Sequence, residues 1–97
     1  MISPLKVKDV AAVLDYTFNY ADASNNYLGT DTIASSSWAV SPSGLTITSP
    51  AASFTATTTT VWASSGTVGK LYVLTNHITT AAGRTEERSF ELLVDNL

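Results

Sequence analysis

Residues 70–94 read KLYVLTNHITTAAGRTEERSFELLV. Two runs of β-forming residues flank a short polar loop, and this is the strongest hairpin signal in the chain. The pattern predicts strands over 70–80 and 86–94 joined by AAGRT, with Gly83 at the tip. Side chains alternate across a strand, so Phe90, Leu92 and Val94 share one face. Glu86 and Arg88 have the same parity and carry that inward row out to the rim. Glu87 and Glu91 take the opposite face. His77 is out of phase with Tyr72, Leu74 and Ile78 and therefore reads as a surface or interface residue.

The rest of the chain repeats the rhythm, with β-rich runs broken by turn residues every ten or so positions. Residues 13–20 alternate cleanly, with Leu14, Tyr16, Phe18 and Tyr20 on one face. A second strand is expected over 32–40, with Trp38 and Val40 pointing inward. The SPSG segment makes a turn, and a short strand over 44–49 ends at Pro50. Residues 54–63 read as one long Thr-rich strand, where adjacent Val61 and Trp62 call for a bulge or a two-sided position. SSGTVG makes the next turn. VKDVAAVL has room for one helical turn. Residues 1–12 read as an N-terminal arm and 13–97 as one domain. Within the arm, Ile2, Pro4 and Leu5 suit addition to a neighbour's sheet edge.

About seven antiparallel strands in this length give the all-β rhythm of an immunoglobulin-like β-sandwich, with a small β-barrel as the alternative. Tyr72, near the start of the penultimate strand, suits the tyrosine corner of such domains. No cysteine pair is present, which excludes an antibody-type domain.

Composition narrows the function. The chain has 97 residues, net charge −3 and 13% charged residues, and Ser and Thr fill the deficit. An average soluble protein has roughly 25% charged residues. A polar, uncharged surface suits β-structure and a protein covered by partners, where charges are costly to desolvate. The five basic residues are scattered, which argues against nucleic-acid binding. There is no apolar run of signal-peptide or membrane-span length, so synthesis in the cytoplasm without a cleaved signal is expected, with no membrane partner.

No catalytic set stands out. His77 is the one histidine and has no partners at triad or zinc spacing. The Asp22–Asp31 loop lacks the calcium-loop pattern, and the glycines at 66 and 69 lack the Lys and helix of a phosphate loop. Glu86 and Glu87 face opposite ways and cannot act as an acid–base pair. The chain therefore reads as a non-enzyme without cofactor or metal. Two readings of the hairpin charges stay open. One is a solvated rim with ion pairs of at most about 1 kcal/mol. The other is a docking surface of Arg84, Glu86, Glu87 and Arg88, with the arginines gripping a partner's carboxylates or carbonyls.

ITTAAGRTEERSFELLV also resembles the C-terminal signature of a family of small phage structural proteins, the fiber-tail adaptors. That family ends in a Thr-Gly-Arg-Thr-x-x-Arg-Ser-hydrophobic pattern. VLDYTFNYADASNNYLGTDTIASSSWAV is similar to its Leu-Asp-Tyr-x-Phe opening and Gly-x-Asp-x-Ile-x-Ser-to-Trp segment. GLTI and TVWASSGTVGKLYVLTNHIT resemble its middle, so coverage runs from about Val13 to Val94. The chain departs where the family usually has an acidic residue and Trp, at Asn19 and Tyr20, and a second Trp, at ASNN. Tyr20 and Tyr27 are the substitutes at hand. The pattern positions are Leu14, Asp15, Tyr16, Asp31, Ile33, Trp38, Trp62, Gly66, Gly83, Arg84 and Arg88.

The resemblance implies a virion protein of the phage neck or tail, assembled in a ring with neighbouring copies. It would link the N-terminal region of a tail fibre to a tail, adaptor or connector protein. The alternative is an immunoglobulin-like carbohydrate- or surface-binding decoration module, with Tyr20, Tyr27 or Trp62 exposed as a platform for sugar rings.

Overall fold

The central hairpin forms as its alternation requires. In the computed structural model, which describes residues 5–21, 28–48 and 51–97, β7 (Leu71–Thr80) and β8 (Thr85–Asp95) pair antiparallel from Leu71↔Leu93 to Thr79↔Thr85. β3 (Ile33–Ser41) pairs antiparallel with the far edge of β7. β1 (Leu5–Asp9) closes the other edge and runs parallel to β8, from Leu5↔Glu91 to Asp9↔Asp95. The first sheet is therefore ordered β1-β8-β7-β3.

The second sheet is built on β6 (Thr58–Ser65), with β2 (Leu14–Asn19) on one side and β4 (Leu45–Thr46) on the other. β5 (Ser53–Phe54) also pairs with β6. The partners of β4 and β5 fall from Ser65 to Thr59 along the chain. These two strands thus form one interrupted edge. Two open sheets without helix or closed barrel, among the described residues, make a β-sandwich.

Three expectations need correction. VKDVAAVL contains no helix, because Val7, Lys8 and Asp9 belong to β1, a tight turn closed by the Ala12 amide on the Asp9 carbonyl follows, and Leu14 opens β2. Leu5, expected to add to a neighbour's sheet, pairs with Glu91 of its own chain. The strand count rises to eight, because residues 5–9 add a strand parallel to β8 and the 54–63 run folds back on itself. Thr55 reverses it: its amide donates to the Thr58 carbonyl at 2.8 Å, and its hydroxyl accepts from the Thr58 amide at 3.0 Å. Short hydroxyl side chains offer the backbone such local bonds in place of a ladder, which turns a Thr-rich strand sequence into a hairpin. Val61 and Trp62 need no bulge, since β2 and β6 stay in register and Val61 alone is fully buried.

Two apolar clusters fill the space between the sheets. Leu45, Val61, Ala63, Tyr72, Leu74, Phe90, Leu92 and Val94 form the larger one. Tyr20, Leu28, Ile33 and Ile78 form the smaller, next to the hairpin tip. Asn76 is also fully buried. Its Oδ1 accepts from the Tyr20 hydroxyl at 2.8 Å and the Thr59 hydroxyl at 2.7 Å. Its Nδ2 donates to Ser36 Oγ at 2.9 Å and the Ser37 carbonyl at 3.0 Å. Each leftover buried group would cost about 1–3 kcal/mol, so a fully used amide fastens the two sheets where an orphaned one would part them.

At the opposite end, the buried Tyr72 hydroxyl accepts from the Thr67 amide at 3.0 Å. This is the upstream return bond expected of a tyrosine corner. Gly66 permits the turn: its φ is +98°, and a Cβ there would lie 2.7 Å from Val94 Cγ2.

Candidate functional site

The hairpin tip gathers the residues that the sequence singled out, and most of their side chains are used within the chain. Arg88 is half-buried, as its inward parity requires, and its guanidinium carbon lies 4.3 Å above the centre of the Tyr20 ring. Such a cation–π contact is worth about 0.5–2 kcal/mol. Tyr20 is fully buried. It therefore offers no platform for a sugar or partner, because Arg88, Phe18 and Asn76 cover it. On the outer face, His77 Nδ1 lies 3.2 Å from Glu87 Oε2. The Glu86 carboxylate accepts from the Glu87 amide at 3.1 Å. Glu86 and Glu87 face opposite sides, as alternation demands. Ile2 and Tyr27 lie outside the described residues.

The turn itself is bolted to the 31–32 segment. Asp31 Oδ1 accepts from the Thr32 amide at 2.9 Å and the Ala82 amide at 3.1 Å. The Ala81 amide donates to the Thr32 carbonyl at 2.9 Å. The Thr80 hydroxyl, these two amides and the nearby Arg84 guanidinium hold the Asp31 carboxyl below the usual carboxylate range. Gly83, at φ +92°, makes the tip, and Arg84 is exposed beside it.

The other end of the same two strands is different. Directly paired residues share a face, so the outward row Val7–Leu93–Leu71 lies beside Leu5–Glu91–Val73. Leu5, Val7, Leu71 and Val73 are 59, 47, 43 and 37% exposed, and Leu93 is half-buried. Single exposed aliphatics need no explanation, but five adjoining ones on three strands do. Asp9 and Asp95 lie opposite one another at the edge of this patch. Asp9 is held ionised to lower pH than usual by the Leu97 amide first and the Ala11 amide second.

A third feature is an open groove of about 390 Å³ between the sheets, walled by Tyr16, Phe18, Trp38 and Phe90, with Lys6 and Asp15 also on its lining. Trp38 stacks on Phe18 at 5.6 Å, which fixes one wall. Burial, and then the Asp15 charge, push the Tyr16 phenol up, so it stays protonated. The Tyr16 hydroxyl and Trp38 Nε1 are buried without a hydrogen-bond partner among the described residues.

Sequence reasoning missed two things. The aliphatic patch had a signal: alternation fails at Leu71–Leu74 and again at Leu92–Val94, where both faces are apolar. The Asn76 hub had one too, a polar residue on the inward parity between Leu74 and Ile78.

Fold and surfaces together define a small all-β sandwich module, fastened by polar contacts at one end and aliphatic on the outside at the other. The chain belongs to the Gp77 family, described as podophage GP4 fiber-tail adaptor protein gp77, whose model matches residues 8–93. It is thus a member of a family of phage tail adaptors. No curated protein matches it. Several of the pattern positions noted above have structural work here: Ile33 is buried, Gly66 lets the corner close on Val94, Asp31 anchors the hairpin turn and Arg88 covers Tyr20.

Proposed function

We propose that this chain is a virion structural protein, not an enzyme, that joins a tail fibre to the phage tail or neck and does so in several copies forming a ring. The observation that carries this reading is the family match across residues 8–93. An adaptor needs a surface for each partner, and the β7–β8 ribbon offers two contrasting ones. At the tip, Arg84 and Glu87, with Glu86 and Arg88 behind them, are candidates for polar contact with a fibre, a tail protein or a neighbouring copy. At the root, the aliphatic patch is suited to close, dry packing.

The carbohydrate-binding alternative loses one of its supports with the burial of Tyr20. Mass spectrometry of purified particles tests the main reading. The chain should be present at a fixed number of copies per virion, and virions that lack it altogether would rule the reading out.

A further inference from the structure

The first sheet segregates charge. Its outer face, read through the pairings, carries Asp9, Glu87, Glu91 and Asp95, and no Lys or Arg among the described residues. The chain's basic side chains lie elsewhere. Lys8 is buried, its ammonium donating to the Asp9 carbonyl at 2.7 Å and the Ala12 carbonyl at 2.8 Å. Lys6 has the same inward parity and lines the groove. Arg88 sits on Tyr20, Arg84 is at the hairpin turn, and Lys70 lies 6.0 Å from the centre of the Tyr72 ring.

We infer that this outer face docks a partner protein whose contact surface combines aliphatic side chains with Lys or Arg placed to meet these carboxylates. The five aliphatic side chains Leu5, Val7, Leu71, Val73 and Leu93 make the apolar part. Glu91 sits inside the patch, between Leu5 and Val73, while Asp9 and Asp95 lie at one margin and Glu87 lies beyond Thr75 and Ser89, so acidic charge both borders and interrupts the apolar surface. A second copy seated face to face would bring Asp9, Glu91 and Asp95 against their own counterparts with no Lys or Arg to offset them, which is repulsive. Lys or Arg on the partner, one of them opposite Glu91, converts the same carboxylates into attraction. The inference rests on the adaptor reading and assigns the chemistry of one of its partners.

The test is complementation of the parent phage, deleted for this gene, with chains altered on this face, counting copies per virion by mass spectrometry. Val7→Glu/Val73→Glu should lower incorporation about tenfold or more, since a charge at an apolar contact centre costs at least one such step in affinity. Glu91→Lys/Asp95→Lys changes only partly or fully exposed carboxylates, so it tests the charge complement independently should the first variant fold poorly. It should also lower incorporation. Wild-type incorporation of both folded variants overturns the inference while leaving the adaptor reading intact. Absence of the wild-type chain from virions sinks the adaptor reading instead. Sedimentation of the purified wild-type chain supplies the remaining control. A dimer that Val73→Glu abolishes would make the face a self-contact and overturn the inference.

Discussion

The tip and the root of the β7–β8 ribbon use one outer face in opposite ways. At the tip, charge and hydroxyl groups find partners inside the chain: His77 meets Glu87, Thr75 meets Ser89 at 2.9 Å, and Asp31 grips the turn. At the root, Leu5, Val7, Leu71 and Val73 stay partly exposed. Several charged groups at the tip are thus used inside the sandwich, while the aliphatic root is left partly uncovered and is the surface we assign to a partner.

The contrast can be broken at either end. The largest loss should come from Asn76→Ala, which strands the Tyr20 and Thr59 hydroxyls in the core behind the tip. Urea unfolding should show about 3 kcal/mol less stability. A loss under about 1 kcal/mol would mean that the hub does not fasten the sheets. Next is Gly66→Ala at the root corner, which places a methyl against Val94 at a positive φ. About 2 kcal/mol is expected, read in the same way, from strain and overpacking together. Arg88→Ala at the tip should cost about 1 kcal/mol through the lost contact with Tyr20. Arg88→Lys should recover part of that, because a lysine keeps the charge but not the planar stack.

The smallest effect is titration. The Asp31 carboxyl at the tip and the Asp9 carboxyl at the root both titrate below the ordinary value of 3.8. Folding therefore favours their ionised forms. Their contribution is complete above the unfolded value and disappears as pH falls below 3.8 through the lower folded values. Asp31→Asn should flatten the acid limb of a stability–pH curve, and an unchanged limb would remove Asp31 from the account.

Much of this architecture was legible in the residues. The hairpin, the inward parity of Phe90, Leu92 and Val94 and the outward His77 follow from period-two alternation and turn chemistry, and the Tyr72 corner from the sandwich reading. The strand over 54–63 was misread because Thr favours both a pleated surface and a side chain-to-backbone turn, and only the contact between Thr55 and Thr58 decides between them. β1 escaped because a short parallel edge strand carries no turn signal linking it to its partner, which lies at the far end of the sequence. At the candidate site, the sequence drew attention to Arg84 and Arg88 because charge is scarce. It gave no measure of how much of that charge the fold would use, and Tyr20 looked available until Arg88 was found on top of it.

The most direct test is a competition. Wild-type and variant chains are co-expressed during infection, and their ratio in purified virions is compared with their ratio among soluble chains. Val73→Glu, at the root, should be excluded from particles about tenfold or more, while Arg84→Ala, at the tip, should enter within about twofold of its share. The opposite ranking, with Val73→Glu admitted freely and Arg84→Ala excluded, would contradict the account.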